Sequence, residues 1–331
     1  MKISLKILHV IIIFLISNLI FGQADTLWTK IYGGEFVDGG NSIKKLSNGE
    51  FILTGFTSID PGESSNDMWL VKINSDGDTL WSSTIGESEK DEGHEVIEAL
   101  DDGYIIVGES FANLIKTDNN GTVEWTKNFS GRFYSIDKVN DIRYVLVRTS
   151  NNYNQIKLIK TNLDGDVILE HSYELGEGAC VAKSVEKTTD DGFIITGHII
   201  ENDNASIFLI KTDSEGEIIW TKVYGEIDQA EYAHTVRKTS DGGYIIAGHR
   251  TFDADHYDVC LIKTDTDGEL IWSNSFGEDG IDEYGFDMQK TTDGGFVFGI
   301  SKDVVIPPQT AARGPLYISS LCVRPGSLKW T

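Results

Sequence analysis

The sequence predicts an all-β fold, a β-propeller of about six four-stranded blades, with seven sectors, one of them incomplete, as the alternative. Three observations lead there. The stretch Ser206 to Glu226, SIFLIKTDSEGEIIWTKVYGE, returns almost letter for letter as DVCLIKTDTDGELIWSNSFGE from Asp258 to Glu278, and a fixed-period repeat outranks any single motif. Marker tryptophans at Trp28, Trp81, Trp125, Trp220, Trp272 and Trp330, with Leu169 in the slot after Trp125, recur every 44 to 58 residues, the spacing of propeller blades. A second marker, an Asp-Gly pair before an aromatic, heads six apolar runs: NGEFILTG at Asn48, DDGYIIVG at Asp101, DIRYVLV at Asp141, DDGFIITG at Asp190, DGGYIIAG at Asp241 and DGGFVFG at Asp293.

In chain order, Met1 to Gln23 carries Lys2 and Lys6, an apolar core through Phe21, then the small residues around Ala24. This is expected to be a signal peptide over residues 1–23, because the repeat strand DTLW starts directly behind it. No Cys stands near the cleavage point, so a lipoprotein anchor is not expected. Residues 24–331 are expected to form one domain, since repeats share a continuous core. The half copy DTLWTKIYGG from Asp25 is expected to close the ring beside the C-terminal blade, which protects otherwise open edges.

Each full unit then reads as four strands: A (HTVRKT from His234), B (YIIAGH), C (VCLIKT) and D (ELIWSNSF). Asp-Gly turns separate A from B and C from D, with Gly supplying the positive φ of a tight hairpin. Strands B and C are continuous apolar runs, so both faces of each sheet should be covered, as radial stacking of blades provides. The tail diverges from about 304. Val304 to Thr331 has no acidic residue and holds four of the five prolines. YISSLCVRPGSLKWT lies over VCLIKTDTDGELIWS with Gly326 on Gly268, which reads either as a degraded sixth C–D hairpin or as an abnormal end.

The formal charge is -24, and about -26 without Lys2 and Lys6. That balance disfavours nucleic acid and anionic membranes as partners and favours solubility, cations or basic partners. Cys180, Cys260 and Cys322 are odd in number and widely spaced, so neither a disulfide framework nor a zinc site is expected. A monomer is expected, with an unknown protein or glycan as ligand.

Loop length carries the functional signal. A–B and C–D turns are short and uniform, whereas D–A and B–C connections vary, and both variable sets emerge at one end of a meander. Binding residues usually ride on variable loops. Ten residues before the strand-B aromatic stand Asn41, His94, Tyr134, Lys183, His234 and Phe286; five after it stand Phe56, Glu109, Thr149, His198, His249 and Ser301. The framework repeats while these positions differ, which makes Asn41, His94, Tyr134, Lys183, His234, Phe286, Glu109, His198 and His249 the binding candidates, near the variable face and the axis. Unconstrained drift would give the same pattern.

The histidines are spread over several blades without an HxxxH or HxH pair, so no transition metal is expected. The C–D turns look like fragments of a calcium loop but lack its third acid and distal Glu. The acids of the D–A loops (Glu87, Glu89, Asp91 and Glu92; Glu226, Asp228 and Glu231; Glu278, Asp279, Asp282 and Glu283) are expected to form an acidic rim. Asp279, Asp282 and Glu283 are there the weak candidates for a calcium ion, and no other cofactor is expected. The strand-C lysines Lys72, Lys116, Lys160, Lys211 and Lys263 read as a structural row, and Trp220 and its equivalents as packing between blades.

DGGYIIAG followed by LIKTDxxGxxxW resembles the secreted β-propeller repeats of Bacteroidetes-type bacteria, from Asp25 to about Asp303; that resemblance implies the fold and no shared activity. The Asp-x-x-Gly-x-x-x-Trp spacing also resembles the tryptophan-docking repeat of quinoprotein propellers and outer-membrane assembly scaffolds, one residue shorter between Asp and Gly, and the chain is too short for eight blades. A non-enzymatic binding or cell-surface scaffold is the expected role, secreted, periplasmic or surface-bound. The alternative is an extracellular glycan hydrolase or lyase with a carboxylate pair on the variable face, although no Gly-x-Ser-x-Gly elbow is present.

Overall fold

The computed structural model describes residues 30–302, 319–324 and 327–328, except for 31, 35, 59–65, 88–89, 110–112, 203, 226–228, 252–255, 278–280 and 292–294. Among the described residues there are six four-stranded antiparallel meanders and no helix. Blade 1 is β1 (Asp38–Lys45), β2 (Phe51–Ser58), β3 (Asn66–Ile73) and β4 (Thr79–Ile85); blade 2 is β5 (Glu92–Glu98), β6 (Tyr104–Glu109), β7 (Leu114–Thr117) and β8 (Val123–Lys127). Blade 3 is β9 (Arg132–Asn140), β10 (Arg143–Thr149), β11 (Ile156–Thr161) and β12 (Val167–Tyr173); blade 4 is β13 (Ala179–Lys187), β14 (Phe193–Glu201), β15 (Asn204–Thr212) and β16 (Ile218–Tyr224). Blade 5 is β17 (Glu231–Lys238), β18 (Tyr244–Thr251), β19 (Tyr257–Thr264) and β20 (Leu270–Phe276); blade 6 is β21 (Glu283–Lys290), β22 (Phe296–Lys302), β23 (Ser319–Arg324) and β24 (Ser327–Leu328).

The first strand of each blade lies against the first strand of the next, and β21 lies against β1, so the six sheets close into a ring. The middle strands are buried on both faces, as their unbroken apolar runs require: Ile105, Ile106, Leu146, Ile195, Leu209, Ile246 and Leu261 are all at most 2% exposed.

One set of contacts joins blade to blade, and the repeat letters specify it. The strand-D indoles of Trp81 and Trp220 meet Tyr104 and Tyr244 of the following blade at centroid distances of 5.9 and 6.0 Å. The C–D turn glycine of that blade lies under the same indole. A Cβ at Gly121 or Gly268 would stand 2.7 Å from Trp81 or Trp220, and both glycines have positive φ. The glycine is thus required twice, for its backbone and for the space above it. Tyr173 and Tyr224 donate their hydroxyls to the Gly216 and Gly268 carbonyls, each at 2.7 Å.

A second set of contacts holds the turns. The strand-C lysines reach acids at or beside the turns, as in Lys211–Asp190 (2.9 Å), Lys263–Asp241 (3.0 Å), Lys116–Glu124 (2.7 Å) and Lys72–Glu50 (2.9 Å). The lysine row is structural, as its regular recurrence suggests. In the C–D turns, Asp118, Asp213 and Asp265 each accept two backbone N–H groups. That geometry accounts for the calcium-like spelling as a self-capped turn.

Closure falls partly outside the described residues, because Trp28 does. Lys30 and Tyr32 nevertheless dock on blade 1 as strand D of each blade docks on its neighbour: Lys30 pairs with Asp78 at 2.8 Å and the Tyr32 hydroxyl donates to Gly77 O at 2.7 Å. The tail does supply a C–D hairpin, β23–β24, with Phe296 facing Val323. In blade 5 the equivalent Tyr244 faces Thr264, which aligns with Cys322, so the tail strand is displaced by one residue from the register its letters suggest.

Candidate functional site

The first strands have a free edge toward the axis, and their N–H groups there need acceptors. Side chains of the preceding blade supply them. Glu95 accepts from Ile136 N (2.9 Å), Asp137 from Lys187 N (2.8 Å) and Glu186 from Lys238 N (2.7 Å). Lys44–Glu95 (2.7 Å) and Arg237–Asp287 (3.1 Å) continue this belt. Burial raises the carboxyls of Asp137 and Glu186 above their ordinary range.

Each first strand contains a β-bulge, between Gly40 and Ser42, Gly93 and Glu95, Phe133 and Ser135, Ala182 and Ser184, Ala233 and Thr235, and Gly285 and Asp287. The extra residues are Asn41, His94, Tyr134, Lys183, His234 and Phe286. A bulged residue leaves the ladder and its side chain is re-aimed, so the six candidates share one local backbone device, once per blade.

Five of the six lie in an axial cluster of two contact groups, which the Lys183 charge links electrostatically. His94 stacks on Tyr134 (4.6 Å, 7°), and the Lys183 ammonium lies 3.6 Å from the Tyr134 ring centroid. His234 Nε2 and His249 Nδ1 are 3.2 Å apart, and Phe286 meets His234 edge-on at 5.2 Å. His198 and His249 pack on Tyr232 at 4.9 and 5.0 Å, and His249 also meets Tyr257 and Tyr284. Asn41 instead donates to Gly93 O (2.9 Å), and Glu109 pairs with Arg132 (2.8 Å) at the edge of the cluster.

Burial sets the charge states. It pushes His94 and His249 down to about 4, His198 to about 3 and His234 well below the ordinary imidazole value, with like charges adding to the effect. Burial and then Arg132 bring Lys183 down to about 8. At neutral pH the cluster therefore holds four uncharged imidazoles, each with one donor and one acceptor nitrogen, and one ammonium. Among the described residues no group of three His, Cys, Asp or Glu has metal-holding geometry.

Two members of the cluster, Tyr232 and Tyr284, are not among the sequence candidates. Both stand two residues before a bulge, in the parallel spellings EYAH and EYGF, in β17 and β21. The acidic rim also needs correction. Asp91, Glu231 and Glu283, each three residues before a bulge, are at most 1% exposed. Asp91 accepts from Glu87 N at 2.9 Å beside Asp67, whose carboxyl is raised by burial and by Asp91, and Glu231 pairs with Arg250 at 2.7 Å. Asp282 accepts from Tyr257 N at 2.9 Å. Glu89, Glu226, Asp228, Glu278 and Asp279 lie outside the described residues. Two surface grooves, one beside Ser82–Glu87 and one beside Leu175 and Glu201, lie away from the axial cluster.

Among solved structures, a protein of unknown function from Bacteroides caccae is similar with a TM-score of 0.50 at 11% identity, over 70% of this chain and 78% of that one. Puromycin hydrolase is similar with a TM-score of 0.50 at 11% identity, over 85% of this chain and 45% of that one. Likeness at this identity is one of fold alone. No curated protein matches the chain. The family model described as outer membrane protein assembly factor BamB (PQQ_2) matches residues 66–311, most of the ring, and the chain belongs to that β-propeller repeat family.

Proposed function

We propose that this chain is a secreted, non-enzymatic binding module, periplasmic or at the cell surface, working as a single monomeric propeller over residues 24–331. Its ligand contacts the axial cluster on the face of the variable loops. One observation carries the reading: six equivalent bulges present five different residue types, none repeated between neighbouring blades, at one end of an otherwise repetitive ring. Among the described residues no helix is long and apolar enough to cross a membrane.

The hydrolase reading has less support. It needs two carboxylates at the ligand, whereas the acid at the edge of the cluster, Glu109, is engaged by Arg132. The close pairs, Asp67 with Asp91 and Asp258 with Glu283, converge on the loop glycines Gly86 and Gly277 between blades. The test is an array of glycans and proteins probed with the mature chain and with Tyr232→Ala, alongside a hydrolysis screen. Binding that Tyr232→Ala weakens without loss of fold supports the module; turnover of a bound glycan would replace it with the enzyme.

A further inference from the structure

Lys183 differs from the framework lysines. Lys44, Lys72, Lys116, Lys160, Lys211 and Lys263 all lie within 3.6 Å of a carboxylate. In a chain of charge -24, acids are available everywhere. Yet among the described residues Lys183 has no ion pair, and its ammonium lies on the face of Tyr134. The nearby Glu109 is held by Arg132. A cation–π contact compensates a half-buried ammonium only in part. Beside Lys183 the Arg132 and Glu109 charges neutralise one another, while Glu92 lies near His94 and Asp282 near His249 at the ends of the cluster, which leaves Lys183, among the described residues of the cluster, as the one cation without a carboxylate of its own.

Around that charge stand aromatic faces and neutral imidazoles. Tyr232, Tyr257, Tyr284 and Phe286 supply aromatic surface, while the faces of Tyr134 are taken by His94 and Lys183. His94 spends Nδ1 on Phe133 O at 2.7 Å, while His198 Nδ1 has no hydrogen-bond partner among the described residues. Rings that stack, nitrogens that both donate and accept, and a single uncompensated cation match a hydroxyl-bearing ring with one carboxylate.

Resting on the binding reading above, we propose that the axial cluster recognises a terminal uronate sugar, its carboxylate on the Lys183 ammonium and its ring against the aromatic wall. A neutral sugar would leave the ammonium partly desolvated and unpaired. A phosphate dianion exceeds the charge of the one ammonium, and polyanions are repelled by the acidic surface.

The experiment titrates the mature protein with a trisaccharide ending in glucuronate, with its methyl ester, with the glucose-ended analogue and with an acidic peptide. The glucuronate compound is expected to bind roughly 10- to 100-fold more tightly than its ester, the range of a charge-assisted hydrogen bond. Lys183→Met should abolish that preference and Lys183→Arg should keep it, with melting temperature reporting the fold of each. The preference should also fade as pH rises through about 8, where Lys183 loses its proton. The charged or titratable groups facing Lys183 are Arg132, Glu109, Tyr134, His94, His198, His234 and His249. Of these the four histidines are already neutral at that pH, and burial holds Tyr134 above the ordinary phenol value.

Equal binding of acid, ester and glucose forms would overturn the uronate assignment while leaving the axial binding site in place. Binding of the acidic peptide alone would overturn the sugar assignment in the same way. No binding of any probe here, together with no hit on the array, would remove both.

Discussion

The two ends of each blade are made differently. At the end of the A–B and C–D turns, the same few contacts recur around the ring: the indoles of Trp81, Trp125 and Trp220 on the next blade's turn glycine, lysine on a turn acid, and the hydroxyls of Tyr32, Tyr173 and Tyr224 on the glycine carbonyl. At the end of the variable loops, each first strand repeats only a backbone irregularity, the bulge, and the residue it carries changes from blade to blade. Stability is therefore concentrated in contacts that recur from blade to blade. The bulged positions are the ones left free to differ.

The sharpest way to break this division is Trp220→Ala. The indole packs on Tyr244 and Gly268, and truncating a packed aromatic should cost about 3–5 kcal/mol in a urea melt. Ligand binding by the fraction still folded should be unchanged. Lost binding at an unchanged melting temperature would merge the two regions.

The next effect belongs to the axial end. His94, His198, His234 and His249 are held below 6.5 mainly by burial. Between 6.5 and about 4 the unfolded chain binds more protons than the folded one, so stability is intact above 6.5 and falls as pH drops through that window. Melting temperatures from pH 7 to 4 should show this, and His234→Gln with His249→Gln should flatten the curve relative to the parent. An equal slope in the double variant would assign the loss to carboxylates instead.

A smaller effect probes ring closure. Tyr32→Phe removes one hydroxyl bond to Gly77 O and should cost about 1 kcal/mol, similar to Tyr224→Phe at the equivalent contact. A cost for Tyr224→Phe and none for Tyr32→Phe would show that the opening half copy is not part of the ring's framework.

The smallest effect concerns the acidic loops. Calcium titrated in about 0.15 M salt, where long-range surface attraction is largely screened, should give no saturable heat and leave the melting temperature unchanged. The three acids Asp91, Glu231 and Glu283 are buried framework, and Asp282 already accepts from Tyr257 N. A saturable heat would place a specific calcium site in these loops.

What could be read from the letters alone follows from repetition. The number of blades, the strand order, the turn glycines and the lysine row are identical constraints imposed several times on one chain, so they survive as visible periodicity. Asn41, His94, Tyr134, Lys183, His234 and Phe286 stand out in the letters for the same reason, as variable positions at a fixed offset from the strand-B aromatic, although nothing there marks them as bulged.

Only the tertiary structure decided what those residues do. Burial cannot be read from composition, so Asp91, Glu231 and Glu283 looked like a solvated rim although they lie inside the ring. Tyr232 and Tyr284 do not stand out in the letters, because a bulge that no pattern marks separates them from the positions counted off the strand-B aromatic. The grouping of His94, Tyr134 and Lys183, and of His198, His234, His249 and Phe286, depends on ring closure. That closure brings side chains from five blades to one axis across sequence separations that no local pattern spans.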